Sequence, residues 1–310
     1  MGFEKVIVRA PATSANMGSG FDSLGMALEM RDETIFQLMP CGESRALVMT
    51  ADGRPADDRI PLGSDNLAIR AFDAVFREVG RAAPPVEVRI VNRIPVARGL
   101  GSSAAAIVAG LIAADTFLGG VLDLQARLNL AARIEGHPDN TAACILGGVT
   151  ASSLVGSRVL WAKAPVPVEL WAVLAIPDFH VSTEAARNVL PRSVQYSDAV
   201  FNVSRVALLV ASLASGAYAN LRYAMEDRLH QPYRASLVPG LVNAVHAACD
   251  AGALGAYMSG AGPSIMAIIG ADTNPEPVSI AMLSALSAAK VKASSIVLPM
   301  TPTGAVVETA

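Results

Sequence analysis

The chain has 310 residues, 52% of them hydrophobic, 16% charged and 5% aromatic, with a formal net charge of −3. That length suits two domains, each large enough to bury its own core. The slight negative balance offers no basic face to nucleic acid, and the few aromatic residues leave little surface for base stacking.

The mean hydropathy of +0.43 raises the question of a membrane span. The apolar stretch 104–114 is too short, 206–221 is broken by Ser212, Ser215 and Gly216, and 251–271 is cut by five glycines and Pro263, so all three are expected to be core. No cationic, then apolar, then small-residue leader opens the chain, so export is not expected. Cys41, Cys144 and Cys249 form no Cys-x-x-Cys pair, which points to reduced thiols in a cytoplasm rather than a disulfide frame or a zinc site.

In chain order, short apolar or alternating runs bounded by turn residues predict strands over 6–8, 34–38, 46–49 and 86–91. A helix over 65–79 carries Ala68, Phe72, Val75, Phe76 and Val79 on one face and is closed by Gly80. Helices over 102–118, 124–135 and 141–146 follow, then strands over 149–154 and 158–162 and the proline-spaced segment Ala164-Pro165-Val166-Pro167. A boundary there divides the chain into 1–163 and 164–310. The second part reads as strand 170–176, helices 183–190, 197–215 and 238–251, strands 255–258 and 265–269, helix 278–289 and strand 291–298. The class is α+β.

One segment carries the chemistry: Pro95-Val96-Ala97-Arg98-Gly99-Leu100-Gly101-Ser102-Ser103-Ala104-Ala105. A glycine loop opening into an alanine-rich helix aims backbone amides at an anion, and the helix dipole adds partial positive charge there. A nucleoside triphosphate is the natural guest; the alternative is that Ser102 or Ser103 only caps a buried helix. The loop has no Gly-Lys-Ser ending of a Walker loop, and Ala104 stands where a dinucleotide fingerprint needs its third glycine.

The segment resembles the second motif of the GHMP kinases, a superfamily that includes galactokinase and the homoserine, mevalonate and phosphomevalonate kinases. Arg9-Ala10-Pro11-Ala12-Thr13-Ser14-Ala15-Asn16-Met17-Gly18-Ser19-Gly20-Phe21-Asp22 is similar to the first motif in its homoserine kinase form, and Ser259-Gly260-Ala261-Gly262-Pro263-Ser264 to the third. Glu135-Gly136-His137-Pro138-Asp139-Asn140, Ser182-Thr183-Glu184-Ala185-Ala186-Arg187 and His230-Gln231-Pro232-Tyr233-Arg234 also resemble homoserine kinases.

The resemblance implies a two-domain GHMP kinase fold, with an N-terminal domain like ribosomal protein S5, a ferredoxin-like C-terminal domain, and ATP at their junction. It places the nucleotide on the loop 95–105, with Gly260 and Gly262 beside it and Asn66 on the adenine side; an Asx turn before a helix is the other reading of Asn66. Ser103 and Glu135 are the implied Mg2+ ligands, hard oxygens suited to that ion. For the amino-acid substrate L-homoserine, Arg187 and Arg234 match carboxylate grips, while Asp22 and Asn16 match ammonium and hydroxyl contacts. Alternatively Asp22 caps a helix beginning at Ser23, and Asn16 sits in a left-handed turn. Relatives of the mevalonate type carry an aspartate at the substrate hydroxyl where this chain has Asn140, an amide that accepts no proton. Asn140 and Thr183 then orient the substrate oxygen, and His137 is read as structural. The implied activity is ATP-dependent phosphorylation of homoserine on the way to threonine. Another GHMP small-molecule kinase, of the mevalonate or shikimate type, or a catalytically silent GHMP-fold protein, is the alternative; a homodimer is left open.

Overall fold

The computed structural model describes residues 4–51, 53, 57, 59–165 and 169–309. Of the proline-spaced segment, Val166 and Pro167 lie outside the described residues. The first part of the chain runs β1 (Lys5–Ala15), β2 (Leu24–Leu38), β3 (Arg45–Thr50), α1 (Leu67–Glu78), β4 (Val86–Asn92), α2 (Ser102–Phe117), α3 (Leu124–Glu135), α4 (Asp139–Leu146), β5 (Val149–Val155) and β6 (Arg158–Ala164). The second runs β7 (Leu170–Pro177), α5 (Thr183–Asn188), α6 (Tyr196–Ser215), α7 (Leu221–Ala224), α8 (Gln231–Arg234), α9 (Leu241–Asp250), β8 (Gly255–Met258), β9 (Ile265–Gly270), α10 (Pro275–Ala288), β10 (Ala293–Pro299) and β11 (Val306–Thr309).

The first sheet has the order β11-β1-β2-β4-β3, with β5 pairing both β2 and β6. The second has the order β10-β7-β9-β8, all antiparallel, which is the ferredoxin-like order expected for that half. The chain passes from the first sheet to the second between Ala164 and Leu170, and then returns: β11 pairs with Val6–Arg9 of β1. The last residues of the expected 164–310 domain are therefore built into the first sheet.

Helix α1 forms because Asn66 caps it and its apolar residues share one face; Phe72 lies among Phe36, Phe76 and Phe117, at ring separations of 5.9, 5.1 and 6.1 Å. Truncating a phenylalanine so enclosed to alanine costs about 3–5 kcal/mol. In α2, eleven of 16 residues are buried, so no polar face is needed. Gly110 lets α1 and α2 touch: a Cβ there would stand 2.1 Å from the Ala68 carbonyl oxygen. A core containing Met26, Leu100 and Val108 from the first half and Leu174, Tyr257 and Met266 from the second joins the two sheets. Helix α6 has the length and apolar composition of a membrane span, and only Asn202, Leu209, Ser212 and Leu213 of its 20 residues are buried, so the stretch 206–221 expected to be core is core only at Leu209, Ser212, Leu213 and Leu221; Asn202 bonds the Ser19 carbonyl and Asp227.

Several boundaries differ from those expected. Strand β1 reaches Ala15 rather than ending near residue 8, because Pro11 stands at a register shift next to Ala12 and beyond the reach of β11, where its missing N–H costs no ladder bond. Strand β2 likewise begins at Leu24, ten residues before the expected start at Thr34. Helix α9 starts at Leu241, not residue 238, because Gly240 at φ 84° is its N-cap. Helix α10 starts earlier than expected, at Pro275, with Asn274 as cap.

Candidate active site

A cleft of about 310 Å³ gathers residues from both halves: Asn16, Asp22, Asn66, the loop 95–103, Glu135, Asn140, Thr183, Arg187, Arg234, Gly260 and Gly262. That size falls at the lower end of small-ligand sites.

On one side lies the glycine loop. Gly101 is the N-cap of α2 at φ 71° with no side-chain cap, so neither Ser102 nor Ser103 caps the helix. A Cβ on Gly101 would stand 1.9 Å from Thr13 Oγ1, and one on Gly99 2.2 Å from the Ser259 carbonyl oxygen. The glycines are thus demanded by strand β1 and the 259–264 loop as well as by any anion. The Ala105 N–H already donates to the Gly101 carbonyl at 2.9 Å, making it the first amide consumed inside the helix. Ala104 and Ala105 have buried side chains that do not line the cleft, so any contact they make with a ligand there runs through the main chain, and the Ala105 amide is already used. The amides before Ala105 are the ones the helix leaves without an intrahelical partner.

The 259–264 loop holds the glycine loop in place. Ser259 Oγ donates to the Gly99 carbonyl (2.6 Å) and joins Ser14 Oγ (2.8 Å), which joins the buried Tyr257 hydroxyl (3.1 Å). Ser264 N donates to the Arg98 carbonyl at 3.3 Å. Asn66 lines the cleft, but its Oδ1 accepts from Ala68 N (2.9 Å) and its Nδ2 donates to the Pro61 carbonyl (2.7 Å), so its side chain builds the Asx-type cap.

Ser103 Oγ donates to Glu135 Oε1 at 2.6 Å. Burial pushes the Glu135 carboxyl above its ordinary range, against the lowering effect of Ser103, and Glu135 is the last residue of α3, where the helix dipole disfavours an anion. A partly buried carboxylate bonded to a hydroxyl offers two hard oxygens that fit a divalent cation. Among the described residues no three His, Cys, Asp or Glu side chains form a metal cluster. Magnesium commonly takes one or two protein oxygens and completes its shell with phosphate and water.

On the other side, Asp22 and Arg187 form a two-bond ion pair at 3.0 Å each. Asp22 caps no helix, since β2 begins at Leu24; it sits at φ 54° with its N–H on Asn16 Oδ1 (3.0 Å). Asn16 does occupy the left-handed turn, at φ 71°, and its Nδ2 donates to the Gly260 carbonyl (2.9 Å). Both ends of the amide are thus engaged by protein. Arg234 is 3% exposed, and its Nε donates to the Ala186 carbonyl (3.0 Å) while Nη1 donates to the Gly260 carbonyl (3.1 Å) and to His230 Nδ1 (3.3 Å). Burial lowers the Arg234 pKa to about 10. Its guanidinium carbon lies 5.1 Å from the Phe21 ring centroid.

Between the two sides, Asn140 Oδ1 accepts from Thr13 Oγ1 (2.7 Å), and its Nδ2 lies 3.3 Å from Asp139 Oδ1. His137 Nδ1 is 2.6 Å from the same Asp139 oxygen; burial lowers the His137 pKa, and the Asp139 bond and charge together with Glu135 raise it by more. Thr183 is the first residue of α5, exposed at the cleft, with Ser182 capping the helix through Ala185 N (3.0 Å).

Sequence reasoning gave no role to Thr13, Asp139 or His230. Thr13 is a buried polar residue in a strand that lacks apolar alternation. His230 is fully buried and places Nε2 on the Gly18 carbonyl (2.8 Å), which fixes Nδ1 as the acceptor for Arg234.

Residues 66–148 match the GHMP kinases N terminal domain and residues 209–289 the GHMP kinases C terminal domain. The chain is 46% identical over 261 residues to a homoserine kinase of Moorella thermoacetica, covering 84% of this chain and 86% of that protein. It is 42% identical over 305 residues to a homoserine kinase of Desulfitobacterium hafniense, covering 97% and 99%. The crystal structure of homoserine kinase from Cytophaga hutchinsonii superimposes with a TM-score of 0.88 at 31% identity, covering 99% of this chain and 98% of the other. With both domains matched in order and full-length relatives well above the identity at which function drifts freely within a shared fold, this chain belongs to the homoserine kinases of the GHMP kinase family.

Proposed function

We propose that the protein transfers the γ-phosphoryl group of ATP to the side-chain hydroxyl of L-homoserine, giving O-phospho-L-homoserine on the way to threonine, as a soluble cytoplasmic enzyme. The observation that carries the reading is a single cleft with a glycine loop and helix N-terminus on one wall and Asp22, Arg187 and Arg234 on the other. One wall suits phosphates and the other suits a zwitterion.

The free amides of Gly101, Ser102, Ser103 and Ala104 receive the phosphates, with Asn66 on the adenine side and Gly260 and Gly262 closing the loop. Ser103 and Glu135 hold the Mg2+ ion, which when bound neutralises charge on the phosphate oxygens. The substrate enters by exchange of ion pairs: its ammonium takes Asp22, and its carboxylate takes Arg187 together with Arg234. Asn16 shapes this wall through Asp22 N and the Gly260 carbonyl. Because the Thr13 hydroxyl occupies Asn140 Oδ1 and Asp139 takes one Nδ2 hydrogen, the second Nδ2 hydrogen is the donor left for the substrate oxygen. Asn140 Nδ2 and the Thr183 hydroxyl orient that oxygen. No carboxylate accepts the proton; a γ-phosphate oxygen takes it as the bond from the γ-phosphorus to the β,γ-bridging oxygen breaks, the new bond to the substrate oxygen forms and ADP leaves, which a loose transition state permits.

A coupled ADP-release assay with homoserine, mevalonate and shikimate tests the reading. Turnover dependent on homoserine supports it, preference for mevalonate or shikimate replaces the substrate, and no turnover with any of them leaves a silent GHMP-fold protein.

A further inference from the structure

Four arginines line the cleft: Arg59, Arg98, Arg187 and Arg234. Three of them are spoken for. Arg59 is bonded to Asp57, Arg187 holds Asp22 with two bonds, and Arg234 is spread over the Ala186 and Gly260 carbonyls and His230. Arg98 differs. Its Nη1 is buried without a hydrogen-bond partner, and no ion pair reaches its guanidinium among the described residues.

An unpaired buried guanidinium nitrogen loses its hydration without recompense, and such groups in folded proteins call for an explanation. Arg98 is held where it is by its own backbone, since Ser264 N binds its carbonyl and Gly99 follows with a conformation that the 259–264 loop enforces. It is also the single side-chain cation between Pro95 and Ala106, in a loop that has no lysine. Burial lowers its pKa, Arg59 lowers it further, and Asp178 and Asp57 only partly compensate. The local field is therefore short of negative charge beside a set of free backbone amides.

We propose that the Arg98 guanidinium is a phosphate-binding group of the nucleotide subsite, donating to the phosphate oxygens of the bound nucleoside triphosphate. Backbone amides supply fixed dipoles to those oxygens, and Arg98 adds the full charge and the forked donor geometry that a phosphate matches. This assignment rests on ATP being the phosphoryl donor, and it concerns a side chain where the loop reading concerned the main chain. Placed there, the charge also opposes what gathers on the transferred group in the transition state.

The test is equilibrium binding of adenosine, AMP, ADP and ATP to the wild-type protein, Arg98→Met and Arg98→Lys, with thermal melting alongside. Arg98→Met should weaken at least ATP by about 10–150-fold, the range for losing a charged hydrogen bond, and leave adenosine within about two-fold. The point in the series at which the loss appears identifies the phosphate contacted. Arg98→Lys should recover part of the loss, because charge without the fork is a weaker match. The dependence of ATP affinity on salt should be shallower in Arg98→Met than in wild type. Melting should be unchanged or slightly raised in Arg98→Met, since the substitution removes no protein hydrogen bond.

Equal weakening of adenosine and ATP, or a clear drop in melting temperature, would make Arg98 a structural brace of the loop and overturn the proposal. Unchanged binding across the series would do so too. If wild type binds ATP but does not phosphorylate homoserine, the catalytic reading fails and the binding comparison for Arg98 still stands on its own.

Discussion

Asp22→Asn separates substrate recognition from stability, and the geometry sets both magnitudes. The Asp22 and Arg187 side chains are 37% and 39% exposed, so their two bonds of 3.0 Å are well screened by water. Such a pair contributes at most about 1 kcal/mol to folding, so removing one charge should lower the melting temperature by no more than a few degrees. The weak pairing matters for binding as well, since the substrate must open it at little cost. A bound ammonium facing the Asp22 carboxylate in a closed cleft, by contrast, is worth on the order of 1.5–3 kcal/mol, so kcat/KM for homoserine should fall roughly 10–150-fold. Comparing homoserine with 4-hydroxybutanoate, which lacks the ammonium, removes the remaining ambiguity. Wild type should prefer homoserine, and Asp22→Asn should erase most of that preference while 4-hydroxybutanoate is turned over as before or somewhat better, because Arg187 is now free to meet its carboxylate. A variant that loses equally on both compounds, whose KM for ATP rises as much as that for homoserine, or that melts far below wild type, would refute the ion-pair exchange.

Gly101→Ala sets a Cβ 1.9 Å from Thr13 Oγ1 at a φ of 71°, so it should damage folding or ATP affinity, and a second change, Thr13→Gly, should restore part of it; no rescue would locate the strain elsewhere. Ser103→Ala removes the 2.6 Å bond to Glu135 and should raise the Mg2+ concentration for half-maximal rate more than the KM for homoserine, as measured by metal titration at saturating ATP. His230 is fully buried, with its pKa lowered by burial and by Arg234 against the pull of Asp227, Gly18 and Asp22, so its folded value lies below the unfolded value of about 6.5. Its neutral form therefore contributes stability above about pH 6.5 that is lost as pH falls through the folded value, and His230→Gln should flatten that acid limb in denaturant titrations while raising the KM for homoserine through Arg234. His137, with a raised pKa, slopes the other way, so the difference between wild type and His230→Gln is the quantity to read, not either curve alone.

How much of this was legible before the structure depended on whether a residue's task is local. The α1 helix, its apolar face and the helix N-terminus at Ser102 follow from spacing and from glycine, because capping and periodicity act over a few positions. The Asn274-Pro275 start of α10 carried the same kind of local signal, an Asx cap followed by proline, and could have been read. The continuation of β1 from residue 9 to Ala15 could not, since Thr13 and Ser14 occupy a buried strand for reasons that lie far along the chain: one bonds Asn140, the other Tyr257 and Ser259. The return of β11 to β1 was likewise hidden, because its four residues are exposed and gain their conformation only from the strand they pair with.

The same distinction governs the site. Motif residues told which side chains meet, but not which partners they hold, and those partners decide the chemistry. Asn140 has its oxygen taken by a threonine 127 positions away and one amide hydrogen by Asp139, which leaves its second amide hydrogen as the donor still open. Arg234 presents a fixed edge because Ala186, Gly260 and His230 have fixed its other donors. Arg98 is the reverse case, a residue whose buried Nη1 meets no acceptor among the described residues. A cleft that engages some of its polar groups with protein partners and leaves a buried guanidinium nitrogen without one separates frame from candidate binding surface, and the proposed nucleotide contact draws on the second set.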